Sequence, residues 1–219
     1  MATTLPVGIL NPTTYKFRLE SFRITDTRSL HNDTDFVSAA LHVGTNPTMS
    51  LPTKSMGDVN NGTFNLGMEF ANVSVPDTTV VTFTYSIVNT GFAKNDIEQA
   101  AQKAVATAAS KAAAAASTAL GGVLGGPLGS GIAIVGNKSA AWAINKLESF
   151  IFANCDGTVA AGDHSFTGAQ LAHLTSGGKV ITVTDENNGT VSPHGCGGNS
   201  HYFVTWSITP HTGPQIIHK

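Results

Sequence analysis

The sequence is short of charge before anything else. Of its 219 residues only 12% are Asp, Glu, Lys or Arg, about half the share of an ordinary soluble domain. Arginine is scarcest, with Arg18, Arg23 and Arg28 as the whole complement. At a net charge of −2 and with no basic run, the electrostatic footprint of nucleic-acid binding is missing, and that partner is set aside. Cysteine is nearly absent: Cys155 and Cys196 stand alone, in no Cys-x-x-Cys pair, which leaves no support for a structural zinc or a thioredoxin-like site. A disulfide between them would close a loop of about 40 residues and contribute roughly 3–4 kcal/mol in an oxidising compartment, whereas in a reducing one they are free thiols. The opening Met1-Ala2-Thr3-Thr4-Leu5-Pro6 lacks the positive and apolar regions of a classical signal peptide, so the expectation is a soluble chain, released if at all by another route. Catalytic motifs are missing as well. There is no Gly-x-Ser-x-Gly elbow, phosphate loop or His-Glu-x-x-His, and the expectation is a protein that is not an enzyme.

What is present is mostly β pattern. Residues 1–14, with Pro6, Gly8 and Pro12, read as an extended arm. From there Tyr15, Phe17 and Leu19, then Phe22 and Ile24, alternate with one phase slip, which predicts a strand carrying a bulge. Val37, Ala39, Leu41 and Val43 share one face of a second strand. Phe64, Leu66 and Met68 mark a third, Val81, Phe83, Tyr85 and Ile87 a fourth. Gly44-Thr45-Asn46-Pro47, Asn60-Asn61-Gly62 and Val75-Pro76-Asp77 supply the turns. The pattern resumes over 179–185 and over 201–209, where Tyr202, Val204, Trp206 and Ile208 alternate. Short turns and one-sided alternation predict an antiparallel β-sandwich built from 15–93 and 153–209, one discontinuous domain followed by a tail, 210–219.

Residues 94–152 are of another kind. The stretch 95–153 holds 17 alanines and opens on Asn95-Asp96-Ile97-Glu98, a capping-box pattern. Ala101, Ala104, Ala108, Ala112, Ala115 and Ala119 repeat at helical spacing, as do Ala140, Ile144, Leu147 and Ile151 further on. Between them lies Leu120-Gly121-Gly122-Val123-Leu124-Gly125-Gly126-Pro127-Leu128-Gly129. The expected fold is therefore mainly β with an α insertion, an antiparallel β-sandwich interrupted by a long Ala/Gly-rich helical hairpin with arms of roughly 35 Å. From Ala112 to Asn137 the chain has 26 residues without a charge. Gly121, Gly125 and Gly129, with Gly122 and Gly126 in a parallel row, set small residues four apart, the spacing that lets helices approach closely in lipid. Leu120, Val123, Leu124, Leu128, Ile132 and Ile134 complete the candidate membrane or oligomerisation element. Lys103, Lys111, Lys138 and Lys146 bring the insertion to +2 once Lys94, Asp96, Glu98 and Glu148 are counted, which suits an anionic membrane surface. The same alanines suit close packing in water or a contact between copies.

The loop from Thr25 to Asp35 carries Asp26, Asp33 and Asp35 between two strands. Such oxygens suit a hard cation, and these are the candidate calcium ligands; the same aspartates also suit Asx hydrogen bonds in a turn. Residues 15–43 resemble a C2 domain, in which the first calcium loop joins two strands and sets spaced aspartates ahead of an aromatic and a valine, here Phe36-Val37. The resemblance implies a β-sandwich with a calcium- or lipid-facing edge of loops. The Pro-Tyr pair of that family is absent, and only the isolated Asp77, Asp185 and Glu186 are left as further ligands.

Most of the histidines follow Cys155: His164, His173, His194, His201, His211 and His218. His194, Cys196 and His201 are a conceivable metal set without a standard ligand spacing, and the cluster as a whole suits a response near pH 6. The functional expectation is a non-enzymatic membrane-active protein, a pore-forming or insecticidal-type toxin, acting on a lipid membrane as a homo-oligomer. The rival is a ligand-binding or self-assembling module, C2-like or lectin-like, with a glycan or protein receptor.

Overall fold

The computed structural model describes residues 14–28, 33–90, 94–121, 157–188 and 200–211. The expected second arm of the helical hairpin, most of the glycine-rich tip, both cysteines, His194 and His218 lie outside the described residues, as do Leu124, Ile132 and Ile134.

The described chain is mainly β, in two antiparallel sheets stacked as a sandwich. The strands are β1 (Thr14–Asp26), β2 (Asp33–Val43), β3 (Met49–Ser50), β4 (Lys54–Val59), β5 (Gly62–Ser74), β6 (Val80–Asn89), β7 (Gly157–Thr167), β8 (Ile181–Asn188) and β9 (His201–His211). The helices are α1 (Lys94–Gly121) and α2 (Gly168–Leu174), the latter followed by a 3-10 turn at Ser176–Gly178. One sheet runs β5-β1-β9-β8; the other runs β3-β2-β6-β7, with β4 also paired to β2. Strands from both sides of the α1 region therefore pair with each other, β1 with β9 and β6 with β7.

The core lies where the alternation places it. Phe17, Leu19, Phe22, Val37, Leu41, Phe83, Tyr85, Ile87, Tyr202, Val204, Trp206 and Ile208 are buried between the sheets. The phase slip in β1 is a bulge at Glu20: Leu19 pairs with Trp206 and Ser21 with Thr205, leaving Glu20 as the extra residue. Ser207 donates to the Glu20 carboxylate at 2.6 Å, and Arg18 lies 3.2 Å from it. On the free side of the same sheet β5 carries two bulges, at Gly67 (φ 62) and Asn72 (φ 56). Lys54 donates to the Leu66 carbonyl at 2.9 Å.

Two elements depart from the sequence expectation. Strand β7 was not expected, because Val159, Ala160, Ala161 and Gly162 give little contrast between faces. The alanine seam of α1 faces a sheet. Ile97, Ala101, Val105, Ala108, Ala109, Ala112, Ala113 and Ala116 are buried, whereas Ala104 is half-buried and Ala115 exposed. A flat sheet needs a broader stripe than the narrow seam of a helix pair, and Val105, Ala109, Ala113 and Ala116 widen it.

The helix runs back along the outer face of β2 and β6. Ile97 packs with Phe36 and Val88, Val105 and Ala109 with Ala40, and Ala116 with Val80. The lengths match: Ile97 to Ala116 spans about 29 Å of helix and Val80 to Val88 about 27 Å of strand. Alternate residues of β6 thus serve two layers, and the whole strand is buried. Ser38 and Thr53 are 2.8 Å apart, and Thr53 donates to the Glu98 carbonyl at 2.9 Å, so Ser38 is the donor to Thr53. One turn on, Gln102 donates to Ser50 at 3.0 Å.

Candidate functional site

A concentrated polar site lies between the sheets, at the side where edge strands β7 and β8 lie together. Along β8 the inward positions are Ile181, Val183, Asp185 and Asn187, so strand parity alone turns a carboxylate and an amide toward the core. Asp185 Oδ2 accepts three hydrogen bonds: from Tyr85 Oη at 2.7 Å, from His164 Nε2 at 2.8 Å and from Trp206 Nε1 at 3.0 Å. The donors come from β6, β7 and β9, so one oxygen ties four strands and both sheets together. Asn187 extends the link, accepting the Ala161 backbone N–H at 3.1 Å and donating to the Tyr85 oxygen at 3.4 Å. The ring centroids of His164 and Trp206 are 4.3 Å apart.

The electrostatics follow from this arrangement. Burial is the largest single influence on Asp185 and opposes its ionisation. The hydrogen bond and charge of His164, with the bonds from Tyr85 and Trp206, outweigh it and hold the carboxyl below its ordinary value. For Tyr85 burial comes first and the Asp185 charge second, and both push its hydroxyl well above the ordinary value. A histidine oriented by an aspartate is the base half of a hydrolytic triad. Here the Asp185 oxygen that orients His164 is shared with Tyr85 and Trp206, and Nδ1 of His164 is buried with no hydrogen-bond partner among the described residues. Donors from three strands converge on one Asp185 oxygen of a fourth, and in this geometry the site acts as a clamp between the sheets.

The candidate calcium ligands are distributed differently. Asp26 ends β1, exposed, and pairs in register with His201. Asp33 begins β2 opposite Val59. Asp35 is fully buried and accepts the Tyr202 hydroxyl at 3.0 Å. Among the described residues no group of three His, Cys, Asp or Glu is placed to hold a metal ion. Of the late histidines, His164 belongs to the clamp, and His201 Nε2 lies 2.7 Å from Glu186 on the outer face of β8 and β9. His201 also packs on Phe203 at 4.6 Å between centroids, and the Arg23 guanidinium covers the Phe203 ring at 4.1 Å. Sequence reasoning missed the clamp, although its signal was there: Tyr85 and Trp206 are inward aromatics with polar tips that need a buried partner, and Asp185 has inward parity.

No protein-family model and no curated protein matches the sequence. The likeness of 15–43 to a C2 domain therefore rests on those residues alone.

Proposed function

We propose that the protein is a non-enzymatic, membrane-active protein of the pore-forming kind, in which the sandwich is the body and α1 is the part that leaves it. The uncharged stretch 112–137, which begins within α1, would enter lipid first. The observation that carries this reading is the interface beneath α1. On the helix side it consists of alanines with Ile97 and Val105; on the sheet side Ser38, Thr82, Thr84 and Ser86 are interspersed with Phe36, Ala40, Val80 and Val88. Alanine buries little apolar area, so each contact contributes little to holding the helix down. The sheet face left behind is rich in hydroxyls and takes water readily. Thr84 Oγ1 and Ser86 Oγ are buried with no hydrogen-bond partner among the described residues, and both would gain one on release.

No helix among the described residues is long and apolar enough to cross a membrane. Entry would accordingly be as an assembly of copies, the Lys103 and Lys111 side of α1 toward water and the alanine side toward neighbouring helices. The decisive experiment tethers the helix. Ala40→Cys with Ala109→Cys joins α1 to β2 at their contact, and bond formation is checked by alkylation and mass. Dye release from liposomes is expected from the reduced protein and not from the oxidised one. Equal leakage by both forms refutes the reading, as does full leakage after deletion of 112–137.

A further inference from the structure

The two ends of the sandwich differ in a way the sequence does not display. At one end lie the start of β1, the ends of β2, β7, β9 and α1, and the starts of β6 and β8; Thr14 pairs there with His211 and Val80 with Thr167. At the opposite end lie Asp26, Asp33, Asp58 and Glu186 with the buried Asp35, against Arg23 and the buried Arg28; Glu186 and Arg23 both pair with Phe203, two residues from the His201–Asn188 pair. On the Thr14 side of the Arg18–Glu69 pairing the charges among the described residues are Lys16, Lys111 and Lys179 against the single carboxylate of Asp77. The only large hydrophobic side chains exposed among the described residues are Met49 and Val180, at 41% and 47%. Met49 is on β3, past the middle of β2, and Val180 immediately precedes β8, so they flank the Thr14 end on the two sheets. In sequence, the segments joined to Thr14, to α1 and to His211 carry little charge: 1–13 has no charged side chain, 112–137 none, and 212–219 only Lys219.

We infer that the Thr14 end is the face that docks on an anionic lipid bilayer, with Met49 and Val180 at the headgroup boundary, Lys16 and Lys179 over the lipid phosphates and the acidic Asp26 end pointing away. Complementarity of charge selects this end, since basic residues near an anionic leaflet are attracted and carboxylates repelled. Exposed apolar side chains beside lysines supply the second component of interfacial binding. The inference rests on the membrane-active reading and adds to it the orientation of the body. It also places the end of α1 at the lipid surface, with no reorientation of the body needed before 112–137 reaches the bilayer.

The test uses the full chain and vesicles of phosphatidylcholine with and without phosphatidylserine. Flotation should show preferential binding to the anionic vesicles. Lys16→Glu with Lys179→Glu should weaken that binding by about tenfold or more; Asp58→Lys, at the other end, should not. Orientation is read separately from Val180→Trp and Asp58→Trp, each as a difference in emission from the parent protein. A blue shift on adding anionic vesicles is expected for Val180→Trp alone. Charge reversal without effect, or a shift at Asp58→Trp, overturns the docking face while leaving leakage, and so the membrane reading, standing. Absence of binding and of leakage with every vesicle overturns both.

Discussion

The Cβ that Gly162 lacks would lie 2.7 Å from both the Cε1 and the hydroxyl of Tyr85. Gly162 and Tyr85 are register partners across β7 and β6, and the bare backbone of one is the space occupied by the ring of the other. The Tyr85 hydroxyl reaches Asp185 because that space is open.

Gly162→Ala should therefore destabilise the protein by about 1–3 kcal/mol, through displacement of a ring packed in the core. Urea unfolding of Gly162→Ala, Tyr85→Phe and the double variant measures the coupling. Since the new methyl and the hydroxyl collide, the two changes should cost less together than the sum of their separate costs.

Asp185→Asn should cost about 2 kcal/mol at neutral pH, because three buried donors lose a charged acceptor. Folding lowers the Asp185 pKa from its ordinary 3.8. Its stabilisation is thus complete above that value and is lost as pH falls through the lower folded-state value. Unfolding measured from neutral pH down into the acid range should accordingly show a shallower loss of stability in Asp185→Asn than in the parent. Trp206 emission, which senses the same carboxylate, should change in the variant at neutral pH.

Thr84→Val removes a buried hydroxyl that has no partner among the described residues and keeps the side chain's shape. Stability should rise by about 1 kcal/mol. The change also makes the face beneath α1 more apolar, so if α1 departs during membrane entry, dye release should slow. Faster release at raised stability would disconnect the helix from the activity.

Gly168→Ala sets a Cβ against the Pro76 carbonyl, well inside van der Waals contact. The obstacle is backbone on the β5–β6 turn, which Gly168 also contacts by donating to Thr79 O at 3.0 Å. The expected cost is about 3 kcal/mol. Gly178→Ala meets no atom within 4 Å, but its φ of +80 disfavours a side chain, and about 1 kcal/mol is expected. Thermal unfolding of the two separates a steric clash from conformational strain.

Much of the sandwich was legible because Phe17, Leu41, Phe83 and Trp206 each have polar or small residues on either side, so parity showed. Strand β7 was hidden by Ala160, Ala161 and Gly162, whose side chains are too small to mark a face. The position of α1 was hidden differently. Ser38, Thr82, Thr84 and Ser86 read as a water-facing set, and only the structure shows that alanines cover them. A seam of small residues records close approach without recording the partner, which is why a second helix and a sheet were equally compatible with Ala101, Ala108 and Ala112. The clamp required knowing that β8 lies beside β7, a relation between edge strands that no local pattern encodes.

The bulges at Gly67 and Asn72 bear on how copies of this chain can meet. A flat β5 would offer a ladder of unpaired amides to the same strand of a neighbour, the route by which β-sandwiches stack into fibres. Two left-handed residues five positions apart break that ladder, and the Lys54 ammonium occupies the Leu66 carbonyl and adds a charge to the rim. Strand addition along β5 is disfavoured, so a contact between copies through this rim would have to be made by side chains rather than by a propagating ladder.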